Sequence, residues 1–176
     1  STDSGSVGMG YELPDLRRGL VAYYPMEKGQ STHLHDAALD NHGLIDGASW
    51  SSDSFIGNKA LAFNSANKDN VDAGQGVLNG RSSYTITGWC SFSSDSSALY
   101  GEGDINDTNI NVMLWANGDG SGFAEFRVSD GSTISEVISS IDVVNTGWHH
   151  LVGVYNGSEI TLYVDGSRIG SASATG

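Results

Sequence analysis

The chain has 176 residues, with 21 Asp and Glu against 8 Lys and Arg, for a formal charge of −13. Such an anionic surface repels phosphate, so nucleic acid and anionic membrane surfaces are poor partners. With 38% hydrophobic residues the chain can bury a core, and its apolar runs are too short for membrane insertion.

Residues 1–16 read as a flexible Gly/Ser-rich lead-in, and residues 17–176 as the folded domain. Within the domain, short β-branched or aromatic runs alternate with Gly, Asn, Asp and Ser clusters. That is the pattern of an all-β sandwich. The predicted strands are Leu20–Tyr24, Ala60–Phe63, Tyr84–Phe92, Ile110–Trp115, Phe123–Val128, Thr133–Ile138, His149–Tyr155, Ile160–Val164 and Arg168–Ala172. Asn156-Gly157 and Asp165-Gly166 supply positive φ values for tight turns, so the last three strands form a meander. Ile160, Leu162 and Val164 share one face and are predicted core. The single cysteine, Cys90, excludes an intramolecular disulfide and reads as a small buried hydrophobe.

Several blocks resemble the LamG-like jelly-roll domains of the concanavalin A-like lectin/glucanase fold. They are Gly19–Glu27, Asp36–Trp50, Phe55–Phe63 with Val71–Gly74, Tyr84–Trp89, Trp148–Val152 and Leu162–Gly166. The resemblance covers residues 19–172 and implies a two-sheet antiparallel jelly-roll sandwich. Members of this family run on to a closing strand that pairs near the opening one. That segment is not seen here, so Leu20–Tyr24 is expected to have an open side, filled by a continuation or by another chain. Trp89 and Trp148 sit in these framework blocks and are expected to be core, and Trp50 to be packed.

Catalysis is not expected: the ExDxxE carboxylate spacing of the fold's glucanases does not occur, and the six Glu are scattered. The resemblance implies a structural calcium, which needs six to eight oxygen ligands. Asp36, Asp40, Asn41 and Asp46 offer one loop; Asp69, Asn70 and Asp72 a second; Asp104, Asn106 and Asp107 a third. The competing reading is that these residues form turns by bonding their own backbone. His33, His35 and His42 read as exposed loop histidines rather than a zinc site.

For a ligand surface the candidates are Tyr100, Trp115, Asn117 and Asp119, an aromatic pair with polar neighbours. Asn106 and Asn156 begin N-x-S/T sequons. The expected function is a non-catalytic, extracellular recognition or adhesion module that binds cell-surface glycans or glycoproteins. The dense Asp surface and the scarcity of Lys favour a salt-adapted source, the other reading being an ordinary acidic extracellular domain that holds calcium. The alternative is a structural decoration, spike or fibre domain of a virus particle or cell-envelope assembly, joined to other protein chains.

Overall fold

The computed structural model of the chain describes residues 18–74, 76–78, 80–103 and 110–175; the expected lead-in over 1–16 lies outside them. The fold is all-β. An N-terminal part carries β1 (His33–Leu34), β2 (Gly43–Asp46), β3 (Ser49–Ser51), β4 (Ala60–Ala62) and β5 (Asn70–Asp72). Here β1, β2 and β5 form one small antiparallel sheet, and β3 pairs with β4. The sandwich proper follows: β6 (Tyr84–Cys90), β7 (Ala98–Gly103), β8 (Ile110–Ala116), β9 (Phe123–Ser129), β10 (Ile134–Asp142), β11 (His149–Tyr155), β12 (Glu159–Val164) and β13 (Ser167–Ser173).

Two four-stranded antiparallel sheets make the sandwich, in the orders β10-β9-β8-β7 and β13-β12-β11-β6. Alternation along each strand sorts the side chains. Val112, Leu114, Phe126 and Val128 of the first sheet meet Leu151, Ile160, Leu162 and Val164 of the second. Ile160, Leu162 and Val164 are all at 0% exposure, as their spacing predicts. Gly153 lies on this inner face, where a Cβ would sit 2.6 Å from the Phe126 ring. The glycine lets the sheets close over that ring. The two sheets come closest along β10 and β13 and part towards β6 and β7.

The hairpin turns differ from one another. Asp165 and Gly166 both take positive φ, 50° and 79°, giving the expected tight turn. At Asn156-Gly157 only the glycine does, at 98°. Tyr155 pairs with Ile160, so this connection is a four-residue loop rather than a two-residue turn.

Three expectations are corrected. Leu20–Tyr24 is not a strand: the Tyr23 N–H goes to the Asp36 carboxylate at 2.8 Å and its carbonyl takes the Ala37 N–H, leaving no ladder. Among the described residues the edge strands of the sandwich are β6, β7, β10 and β13, and β6 is the one whose partner, β11, lies far along the chain. Trp89 is not core. It sits on the outer face of β6, and Phe55 stacks on it at 3.8 Å between centroids. Trp50 and Trp148 are half-buried and anchored through their indole N–H groups, to Ser31 O at 2.8 Å and Asp53 Oδ1 at 3.3 Å.

Candidate functional site

Where the sheets part, one end of the sandwich holds a cleft of about 720 Å³. Tyr84 and Tyr155, paired across β6 and β11, form its floor, with ring centroids 5.3 Å apart. Arg81, Glu102, Asn111 and Asp130 bring charge and hydrogen-bonding capacity to its walls. Glu102 points inward because it stands opposite Val112, a core residue. Its Oε1 accepts from the Leu78 N–H at 2.8 Å and from the Tyr100 hydroxyl at 2.5 Å. Burial and this carboxylate raise the Tyr100 phenol well above its ordinary range. Burial, with Tyr155 and Glu102 nearby, does the same for Tyr84. Both phenols are therefore neutral hydrogen-bonding groups at any physiological pH.

The four predicted ligand residues are not brought together. Tyr100 stands opposite Leu114 and faces the sandwich interior, whereas Trp115 stands opposite Ala98 and Glu125 on the other face of the same sheet. Asn117 and Asp119 organise the β8–β9 turn. Asn117 Oδ1 accepts from the Asp119 N–H at 3.1 Å, and Asp119 Oδ1 from the Ser121 N–H at 2.8 Å.

Trp115 belongs to a cluster that spacing along the sequence does not reveal. Strand register sets Arg127 opposite Glu136, and Glu125 opposite Trp115. The Arg127 Nε bonds Glu125 Oε1 at 2.8 Å, its second nitrogen meets Glu136 at 3.2 Å, and the guanidinium lies over the Trp115 ring at 5.6 Å. Glu125 is at 0% exposure, and burial raises its carboxyl despite Arg127. Its Oε2 and the Trp115 indole N–H lack a bond of good geometry to any described group. A buried acceptor and a buried donor thus sit directly across the ladder from each other.

The first predicted calcium loop is built around Asp36, at 1% exposure. Oδ1 accepts from the Tyr23 and Ala38 N–H groups, both at 2.8 Å. Oδ2 accepts from those of Leu39 and Asn41, both at 3.1 Å. Burial disfavours the charge, but the four donors outweigh it and hold the carboxyl below the usual Asp range. A carboxylate whose lone pairs all point at N–H donors has none left for a hard cation, so this arrangement does not fit calcium on Asp36. Asn41 is also engaged, donating from Nδ2 to Val21 O at 2.9 Å. Asp40, Asp46 and Asp72 are exposed, and Asp72 Oδ1 caps the Gly74 N–H at 2.8 Å. No group of three or more metal-binding side chains occurs among the described residues. Asp104, Asn106 and Asp107, and with them the Asn106 sequon, lie outside the described residues.

At the opposite end of the sandwich Asp165 ties two histidines. Its Oδ2 lies 2.8 Å from His149 Nδ1, and its Oδ1 accepts the His150 N–H at 2.8 Å. His149 Nε2 is 2.8 Å from Thr146 Oγ1, and His150 Nε2 is 2.8 Å from Thr87 Oγ1. The network joins the β12–β13 turn, the start of β11 and β6. Cys90 is buried beside it, and burial pushes its thiol up to about 12, which leaves it unreactive.

A search of curated proteins finds no match. Among solved structures, the chain is similar to mouse laminin α1 chain domains LG4-5, at 17% identity and a TM-score of 0.43. That match covers 52% of this chain and 24% of the laminin chain, so about a quarter of that structure is spanned. It is also similar to an S-layer domain-containing protein (residues 221–444) from Clostridium thermocellum, at 17% identity and a TM-score of 0.55. Here 86% of this chain and 71% of the other are covered, a likeness of fold. A family model described as the concanavalin A-like lectin/glucanases superfamily matches residues 65–176, which include the whole two-sheet sandwich. The chain belongs to the concanavalin A-like lectin/glucanases superfamily.

Proposed function

We propose that the domain is a non-catalytic recognition module that works outside the cell and binds a glycoconjugate in the end cleft. The observation that supports this is the cleft itself. Its volume of about 720 Å³ lies within the range of small-molecule sites, about 300–1,000 Å³. Sugars present apolar ring faces and dense hydroxyls. The half-buried Tyr84 offers a ring edge, backed by the buried Tyr155, and Arg81, Glu102, Asn111 and Asp130 offer donors and acceptors. The net charge of −13, with only 3 Lys, supports a salt-adapted setting, where self-repulsion is screened over about 3 Å at 1 M salt. The test is a glycan array at low and high salt with Arg81→Ala, Tyr84→Ala and Trp115→Ala proteins. Binding that is lost in the first two and kept in the third, which lies on the far face of the sheet, supports the cleft. No binding by the wild-type protein at either salt level sinks the reading.

A second reading, a structural domain of a cell-envelope or virion assembly, is favoured by two observations. The β6 edge is unpaired among the described residues. Seven of the nine exposed large hydrophobics among those residues (Leu20, Tyr23, Leu39, Leu44, Phe55, Ile56 and Phe63) lie in the N-terminal part. Sedimentation analysis across salt concentrations decides it: a monomer throughout counts against assembly by self-association.

A further inference from the structure

We propose that Asn156 is an N-glycosylation site, in a loop built so that a glycan there costs the fold no hydrogen bond. Asn156, Gly157 and Ser158 form the sequon at the exposed tip of the β11–β12 loop. Asn156 Oδ1 accepts from the Ser158 N–H at 3.0 Å, the Glu159 N–H at 2.9 Å and the Ser158 hydroxyl at 3.2 Å. Two fixed backbone donors on one atom settle which way the amide lies: its oxygen holds the loop and its nitrogen faces away. Nδ2 has no acceptor among the described residues. The amide nitrogens of Asn41, Asn58 and Asn70 are occupied, by Val21 O, Glu27 and Lys68 O. Asn64 and Asn117 share the Oδ1-to-backbone arrangement of Asn156 but begin no sequon.

N-linkage replaces one hydrogen on Nδ2 and leaves Oδ1 an amide oxygen, so all three loop bonds survive it. The donor would be an oligosaccharide carried on a lipid phosphate or pyrophosphate. Nδ2 attacks the anomeric carbon, a C–N bond forms and the anomeric C–O bond breaks. The lipid phosphate departs with that electron pair, and the Nδ2 proton passes to a base of the transferase. The Ser158 hydroxyl, donating to Oδ1, draws the nitrogen lone pair towards oxygen and so makes the Nδ2 proton easier to pass to that base. The inference rests on the export part of the proposed function and not on the cleft.

The test is secretion from a glycosylating host followed by tryptic glycopeptide mass spectrometry. Cleavage at Arg81, Arg127 and Arg168 places Asn106 on peptide 82–127 and Asn156 on peptide 128–168, so each is scored alone. Peptide 128–168 is expected to carry glycan, and to lose it in Ser158→Ala and Asn156→Asp. The Asp variant keeps the Oδ1 acceptor and is expected to melt within a few degrees of wild type, which separates lost glycan from a lost fold. An unmodified peptide 128–168 in the secreted protein overturns the inference, whatever peptide 82–127 shows. A modified peptide with a blank glycan array leaves the inference standing and sinks the cleft reading.

Discussion

Phe55 lies flat on Trp89, 3.8 Å between centroids and 21° from parallel, and so ties the β3–β4 loop of the N-terminal part to the outer face of β6. Such a pair contributes about 0.5–1.5 kcal/mol beyond the area it buries. Phe55→Ala is expected to cost about 1 kcal/mol and to shift tryptophan emission to the red as Trp89 meets water. Emission and stability both unchanged would mean that the stack does not hold the loop.

Asp36 makes the N-terminal part sensitive to acid. Its folded pKa lies below the unfolded value, so its stabilisation is complete above about pH 4 and is lost as pH falls through the folded value. Asp36→Asn replaces one acceptor oxygen with a donor that faces N–H groups, and should cost about 2 kcal/mol. Amide exchange at Tyr23, Ala38, Leu39 and Asn41 is expected to rise in the variant at pH 7, and in wild type as acid protonates Asp36. The β9 amides should stay protected in the variant. Equal loss across the whole chain would contradict a local role.

Gly153→Ala probes the closure of the two sheets. The added methyl would sit 2.6 Å from Phe126, which is itself at 0% exposure and has no room to retreat. The expected loss is about 2–3 kcal/mol by denaturant titration. A variant as stable as wild type would show that the sheets can spread at this point.

Glu125 and Arg127 should respond unequally to mutation. Arg127→Met leaves a buried carboxylate unpaired and is expected to cost about 3 kcal/mol at pH 7. Glu125→Gln keeps an oxygen acceptor for Arg127, removes the buried charge and breaks no bond at the unpaired Oε2, and is expected to cost less than Arg127→Met, about 1 kcal/mol. Glu125 has a folded pKa above its unfolded value, so the stability it lends is present below about pH 4.3 and falls as pH rises through the folded value. Removing Arg127 exaggerates this. The melting point of Arg127→Met should climb on going from pH 7 to pH 5 relative to wild type, and a flat difference would refute the account.

What the sequence discloses follows from range. The β12 and β13 strands and the Asp165-Gly166 turn are legible because alternation and turn chemistry are local. The two-, three- and four-residue strands β1 to β5 mostly escape, since so few residues carry no period. β7 escapes because ALYGEG holds two glycines and an acid. Leu20–Tyr24 misleads in the other direction: its apolar run reads as a strand, but the Tyr23 N–H is taken by a carboxylate thirteen residues away. The ligand guess failed to converge for a related reason. Tyr100 and Trp115 lie on neighbouring strands, and only the register Tyr100 opposite Leu114 reveals that they face opposite ways. The cleft draws on β6, β7, β8, β9 and β11 together with the approach to β6, and the Glu125–Arg127–Glu136 cluster exists only through cross-strand pairing.

The pairing of β6 with the distant β11 has a consequence for the timing of biosynthesis. Every other strand of the sandwich pairs with a neighbour in sequence, whereas Thr87 of β6 bonds His150, 63 residues further on. At about 5–20 residues per second, β6 leaves the ribosome roughly 3–13 s before β11 arrives to receive it. During that interval β7 to β10 can zip into a meander, while β6 waits as a bare strand with both edges open. The step most exposed to chaperones, proteases and a neighbouring nascent chain is therefore the capture of β6, and Thr85 and Thr87 on its outer face keep the waiting strand partly polar.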